Sequence, residues 1–289
     1  MGLCPFFERW HSYMQKQNKS YYEAKRKKGE KDKYYKVMSL LCFFILWELF
    51  GRLNLIFGWI ESKFLPMPSE ILTSVYNFYM DGSLQEHLSV SGYRVLSGYF
   101  IGVIVAVILG ALIANNKVLD NIITPILNLF GPIPVMAFLP MFILWFGIGE
   151  ESKIILIAYA TVIYMISYVV EGIHNTDPLL IRSALSMGCN KLQLFWTVKF
   201  QSAFPNIFVG MKGALGTAFG AMVVAEMLGA STGLGYIIVF SKNWFRMADM
   251  MMAAMMIGLM YSVMFGIMSL LEKRLFKWKI KVAGNAIEK

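Results

Sequence analysis

Charged residues are scarce in this chain. Aspartate, glutamate, lysine and arginine make up 16% of its 289 residues, whereas 57% of the residues are hydrophobic. A soluble domain usually has about 25% charged residues and about 45–50% apolar ones. This chain therefore has too little polar surface for a water-soluble globule of its size, and the same composition excludes disorder. The composition indicates a polytopic membrane protein.

Residues typical of catalysis and metal binding are also few. The three cysteines form no even disulfide framework. The three histidines lie far apart, without the spacing of metal ligands, so we predict no metal site. The sequence contains no G-x-x-x-x-G-K-[ST] phosphate loop and no Ser-His-Asp or Cys-His pattern. We therefore expect no catalytic residue and no cofactor in this chain.

Six apolar segments are long enough to cross a bilayer as helices, which takes about 20 residues each. They are residues 37–60, 93–114, 123–148, 153–170, 207–228 and 247–271. We predict an all-α fold of about six transmembrane helices, in which residues 37–271 form the membrane domain.

Basic residues are concentrated at the two ends of the chain. Ten lysines and arginines lie between Arg9 and Lys36, and six lie between Lys273 and Lys289. Basic flanks beside apolar spans are typical of cytoplasmic segments, so both termini are predicted to be inside. Residues 1–36 are then a cytoplasmic arm that can contact lipid, and residues 272–289 are a cytoplasmic tail. A nucleic-acid partner is not expected, since no folded basic face with base-reading side chains is apparent.

The longest predicted cytoplasmic loop, residues 171–206, has helix signals of its own. Asp177 and Pro178 are typical of a helix start, and Gly188 suits the left-handed position that ends a helix. We predict a second short helix over residues 191–200, followed by Pro205. A side chain at Gly188 is expected to strain the turn and to hold the two short helices apart. Such an apolar hairpin either lies on lipid headgroups or fits a groove on a partner, and the residues alone favour neither.

The run RSALSMGCNKLQLFWTVKFQSAFP resembles the EAA loop of binding-protein-dependent ABC importer permeases. Ser183, Ala184, Gly188 and Pro205 stand at the matching positions, while Arg182 replaces the acidic residue of the signature. The runs FLPMPSEIL, FGPIPVMAFLPMFILWFGIGEESKIILIA and VVAEMLGASTGLGYII are similar to the taurine, aliphatic sulfonate and nitrate permease group. The resemblance covers residues 37–278.

This resemblance implies a type I importer permease whose loop docks, as a coupling helix, into a separate ATPase. The residues implied in that contact are Arg182, Ser183, Ala184, Leu185, Gly188, Lys191, Leu192 and Pro205. It also implies two copies of this chain, two ATPase subunits that hold ATP and magnesium, and an external binding protein. The location implied is a prokaryotic inner membrane. The implied substrate is a small organic anion such as a sulfonate, taurine or nitrate, or a vitamin precursor.

Two features are candidates for the transport pathway. Proline residues interrupt the third span, and irregular backbone inside a membrane is tolerated only against protein or a water-filled cavity. We therefore expect Pro132, Pro134, Met136 and Pro140 to form a pathway wall. Glu226, near the outer end of the fifth span, lines a gate or the pathway, lies as an acid at the membrane interface, or pairs with another helix.

Small residues recur every four positions in two of the spans. One stripe runs through Gly98, Gly102 and Gly110 in the second span, and Gly210 and Gly213 belong to two more in the fifth. We interpret them as helix-packing surfaces, within the chain or across a dimer. The methionines crowded into the sixth span indicate flexible packing, with a soft-metal path as the less favoured reading.

Two other classes of protein compete with an importer permease. An ion-coupled secondary transporter normally shows repeated halves and midplane carboxylates, and neither is evident here. A membrane assembly factor without transport activity is the second alternative. Dependence of transport on a separate ATPase distinguishes the importer from both.

Overall fold

The computed structural model describes residues 34–35 and 37–276, and the chain divides into two compact units, Met1–Glu70 and Ile71–Lys289. All regular secondary structure within the described residues is helical. Most of the predicted N-terminal arm and the end of the predicted tail lie outside these residues.

Within its described residues, the first unit contains one apolar helix, α1 (Val37–Phe57), followed by a 3₁₀ turn at Ser62–Phe64. Asn54, in the last turn of α1, holds the segment that follows the helix, since its side chain donates to the carbonyl of Ile60 and accepts from its N–H, both at 2.8 Å. The next helix, α2 (Pro68–Met80), begins in this unit.

The second unit contains the remaining helices. They are α3 (Ser83–Asn115), α4 (Lys117–Phe130), α5 (Val135–Phe146), α6 (Glu150–His174), α7 (Pro178–Ser186), α8 (Lys191–Gln193), α9 (Phe200–Gly229), α10 (Leu234–Asn243) and α11 (Met247–Leu275). A six-residue π-helix, Leu194–Lys199, joins α8 to α9.

In the part of the chain that the structure describes, five helices are long and apolar enough to span a membrane, and one bent pair makes a sixth candidate. The five are α1, α3, α6, α11 and the continuous helix Lys191–Gly229, which includes α8 and α9. The pair is α4 and α5, which meet at an angle of 103°. The prediction of about six spans in an all-α fold is confirmed. The helices α2 and α10 were not predicted.

The core of the second unit is built around α6, which packs against α3 on one side and α9 on the other. A Cβ atom at Gly98 would lie 2.6 Å from Cβ of Ile157, and one at Gly210 would lie 2.6 Å from Cβ of Tyr168. These positions bring helix backbones close together, as small residues do in membrane bundles. The glycine stripes therefore pack within the chain.

Methionines of α11 pack against this core. Met260, Met264 and Met268 are partly buried against it, and Met252 is fully buried. This arrangement favours the packing interpretation of the methionines in the sixth span.

Candidate functional site

The loop between α6 and α9 folds as a helical hairpin whose first arm is α7. The carboxylate of Asp177 accepts a hydrogen bond from the N–H of Leu179 at 2.8 Å. Pro178 takes the first helical position, where a missing N–H is tolerated. The predicted helix start at Asp177 and Pro178 is therefore confirmed.

Gly188 turns the chain between the two arms with a φ of +84°, so its left-handed conformation is confirmed. A Cβ atom added there would meet nothing within 4 Å. The expectation that a side chain would hold the two short helices apart is therefore wrong, because the turn opens to free space. A side chain at Gly188 strains the backbone without a clash within the chain.

The second arm begins with a capping box. The side chain of Asn190 accepts from the N–H of Gln193 at 2.8 Å, and the Gln193 side chain accepts from the N–H of Asn190 at 3.0 Å. The arm continues without a break through Leu194–Lys199 into α9, forming a helix of 39 residues, Lys191–Gly229. The prediction of a separate short helix over residues 191–200 is wrong. Pro205 lies buried inside the long helix, where packing outweighs the loss of one backbone hydrogen bond.

The predicted coupling residues divide into exposed and buried ones. Ala184 and Pro205 are buried, so their side chains are not available to a partner. The other six are exposed, and they are Arg182, Ser183, Leu185, Gly188, Lys191 and Leu192. Large apolar side chains add to this surface, with Leu179, Met187 and Leu192 each more than two thirds exposed. We call these exposed residues of 179–192 the hairpin surface.

Pro132 and Pro134 lie at the bend between α4 and α5. Pro134 precedes α5, Pro140 lies inside it, and both are exposed together with Pro132 and Met136. The buried side of α5 packs Leu139 and Phe142 against Ala225 of α9. The bend itself is as predicted, and its role as a pathway wall stays a prediction.

Glu226 lies next to Ala225, fully buried in a cluster of charged side chains. The guanidinium of Arg94 donates from Nη1 to Glu226 at 2.9 Å. On its other edge, Nε and Nη2 donate to the two oxygens of Glu150, both at 2.6 Å. Lys153 adds a bond to Glu150 at 2.9 Å. We call these four residues the ion-pair cluster, and they join α3, α6 and α9.

The two ion pairs of Arg94, one with Glu226 and one with Glu150, differ in how deeply they are buried. The side chains of Arg94 and Glu226 are 2% and 0% exposed, whereas that of Glu150 is 50% exposed. Removing one partner of a buried ion pair costs about 3–5 kcal/mol, because the other charge is left uncompensated. Loss of the Arg94–Glu226 pair is therefore expected to destabilise the fold more than loss of the Arg94–Glu150 pair. The structure places Glu226 as a pairing residue, and its role in a gate stays a prediction.

The cluster also holds the loop that follows α9. Arg94 donates from Nη1 to the carbonyl of Thr232 at 2.6 Å. Glu226 accepts from the N–H of Gly235 at 2.8 Å and from the hydroxyl of Ser91 at 2.8 Å. The Ser91 oxygen in turn accepts from the N–H of Leu234 at 2.8 Å. We call residues 230–235, which include the first two residues of α10, the clamped loop.

Arg94 and Ser91 were not singled out in the sequence, although a signal was present. Arg94 stands four residues before Gly98, and Gly98 four before Gly102, so the arginine continues the stripe that packs on α6. Lys153 likewise stands four residues before the buried Ile157. A charged residue that extends a buried small-residue stripe is itself predicted to be buried, and hence paired.

The described residues thus combine helices long enough to span a membrane with an exposed helical hairpin that leads into one continuous helix. Residues 98–277 match the family of binding-protein-dependent transport system inner membrane components, and the chain belongs to this family. It is therefore the permease subunit of an ABC importer.

Relatives and solved structures agree with this assignment. The chain is 29% identical to the taurine transport system permease protein TauC of Escherichia coli over 246 residues, 83% of this chain and 88% of TauC. It is also 29% identical, over 265 residues, to the SsuC protein of Bacillus subtilis, which is named for aliphatic sulfonates transport; 91% of this chain and 95% of SsuC are covered. An inward-facing structure of the MetNI methionine ABC transporter superposes with a TM-score of 0.57 at 18% identity, over 68% of this chain and 95% of that chain. That structure supports the fold.

Proposed function

We propose that this chain forms the pathway by which a small sulfonate, such as taurine, enters the cell. Two relatives with similarity along most of the chain are named for taurine and for aliphatic sulfonates. Two copies of the chain would form the pathway between them, and an external binding protein would deliver the substrate.

The observation that carries the coupling mechanism is the continuity of the helix Lys191–Gly229. It starts in the hairpin and ends beside Glu226, and 39 residues of helix span about 58 Å. The hairpin surface offers exposed leucines and a methionine to a groove on a partner. A movement of a docked ATPase would then shift one rigid element that reaches both ends of the bundle. ATP and magnesium would bind to two ATPase subunits.

The proposed orientation has both termini in the cytoplasm. Basic residues at both ends of the chain support it. The number of spans is even, as this orientation requires, when the bent pair α4 and α5 is counted as one span. In this orientation the hairpin faces the cytoplasm, where an ATPase would dock. The ion-pair cluster and the clamped loop then lie toward the outside, where the binding protein would deliver substrate.

Uptake of labelled taurine tests the proposed substrate and energy source. We expect cells that lack the gene to lose saturable uptake, and the restored gene to recover it. Unlabelled ethanesulfonate should compete, because the sulfonate group is shared, whereas a vitamin precursor should not. Reconstituted vesicles should take up taurine only when the ATPase, the binding protein and ATP are all present. Taurine uptake driven by an ion gradient through this chain alone would contradict the proposal and favour a secondary transporter.

A further inference from the structure

The first turn of α10 is capped by side chains from distant helices. The residue at its N-cap is Gly233, which has no side chain with which to accept a hydrogen bond. The N–H groups of a first helical turn need acceptors, and a local Ser, Thr, Asp or Asn usually supplies them. Here His87 and Ser91 of α3 accept from Gly233 and Leu234, both at 2.8 Å. Glu226 of α9 accepts from the third N–H, that of Gly235.

The chain leaves no room for a local cap at Gly233. Its φ is +122°, a conformation that favours glycine, and a Cβ atom there would lie 2.5 Å from the carboxylate of Glu226. A Cβ atom at Gly235 would lie 2.8 Å from Cβ of Glu226. Both glycines let the start of α10 close directly over the buried carboxylate.

Arg94 keeps that carboxylate in place. Its Nη1 bridges Glu226 and the carbonyl of Thr232, so one guanidinium nitrogen binds both the capping residue and the loop being capped. The opposite edge of the guanidinium is fixed by Glu150 at the start of α6. The ion-pair cluster has two cations and two anions, and each of the four is paired with at least one residue of opposite charge. It is therefore suited to hold protein parts together rather than to attract an anionic substrate.

The helix that depends on these contacts borders an open cavity. α10 has ten residues, and a helix of this length is marginal without outside contacts. Its residues Tyr236 and Val239 line a cavity of about 650 Å³ together with Gly149, Lys153 and the first part of the clamped loop. A loss of the caps would therefore move a wall of this cavity, while the packing of α3 on α6 would remain.

We infer that Arg94 is a positioning residue for transport, acting through Glu226 to fix the clamped loop and the start of α10. The inference rests on the proposed transport function. Its direct consequence is local. The N–H groups of Leu234 and Gly235 are held by Ser91 and Glu226, Ser91 donates to Glu226, and Glu226 loses its cationic partner when Arg94 is neutralised. Transport falls because α10 is displaced, and not because the bundle unfolds.

Hydrogen–deuterium exchange of the complete transporter in lipid nanodiscs tests the inference together with uptake. For Arg94→Gln, we expect peptides over residues 230–243 to exchange about tenfold faster or more, since these amides lose protection by local opening. Peptides over residues 98–113, which pack on α6, should be unchanged. Uptake should fall about tenfold or more, with the ATPase still bound, as expected when the partner of a buried charge is removed. Arg94→Lys, which keeps the charge, should recover part of both losses.

Lys242→Gln is the matched control, because it also removes one positive charge and its residue is exposed on α10. We expect it to change neither exchange nor uptake. Ser91→Ala provides a second variant with every charge intact, and it should speed exchange in the same segment. Unchanged exchange over residues 230–243 in both Arg94→Gln and Ser91→Ala would overturn the inference, whatever the uptake. If the wild-type transporter did not carry taurine, the proposed substrate would fail, and the exchange result would still decide the role of Arg94.

Discussion

Replacing Gly188 with arginine is expected to abolish uptake while the protein still inserts in the membrane. The structure leaves open space at this position, so the new side chain projects from the hairpin surface and does not disturb the spans. A charge left unpaired in a desolvated contact costs about 3 kcal/mol or more, which weakens that contact about a hundredfold. Labelled-taurine uptake should therefore fall to background, at unchanged levels of protein in the membrane fraction.

Gly188→Asn separates the charge from the backbone effect. Asparagine adopts a positive φ more readily than other residues with side chains, so it preserves the turn at little cost. We expect this variant to keep most of the uptake. Normal uptake by Gly188→Arg, or equal losses in both variants, would contradict docking through this surface.

Replacing Gly102 with alanine is expected to destabilise the bundle. A Cβ atom at Gly102 would lie 2.5 Å from Cβ of Thr161 and 2.7 Å from the backbone carbonyl of Ala158. Alanine favours a helix over glycine by about 1 kcal/mol, but such overpacking against backbone costs about 1–3 kcal/mol or more. We expect the thermal midpoint of the purified protein to fall by about 5 °C.

Gly92→Ala, on the same helix, is the matched control for Gly102→Ala. A Cβ atom at Gly92 would meet only the sulfur of Met260, at 3.9 Å. The control should therefore keep its thermal midpoint or raise it slightly. An equal decrease in both variants would show that the loss comes from α3 itself and not from its contact with α6.

The helical architecture could be predicted from the sequence because it follows from apolar length and small-residue spacing. The stripe through Gly98, Gly102 and Gly110 does mark the surface that packs, and Gly188 does mark the turn of the hairpin. Both signals are local, since each depends on residues a few positions apart. The resemblance to importer permeases rests on such local motifs as well.

The ion-pair cluster could not be predicted in the same way, because its members are far apart in the chain. Arg94 and Glu226 are separated by 132 residues, and the capping of α10 depends on a contact across 143. The long helix through Pro205 was missed for a related reason. A proline alone favours a break in the helix, but the packing of α9 against α6 keeps the helix continuous. Local sequence patterns predict the individual helices, whereas ion pairs between helices depend on the assembled fold.

Co-purification from native cells tests the coupling to a separate ATPase most directly. The tagged chain is isolated in a gentle detergent, and the proteins that elute with it are identified and quantified by mass spectrometry. We predict an ABC ATPase at about one subunit per permease chain, because the proposed transporter has two of each. We also predict its loss from the Gly188→Arg variant but not from Gly188→Asn. Isolation of the chain without an ATPase, under conditions that keep other ABC importers intact, would contradict the proposed coupling.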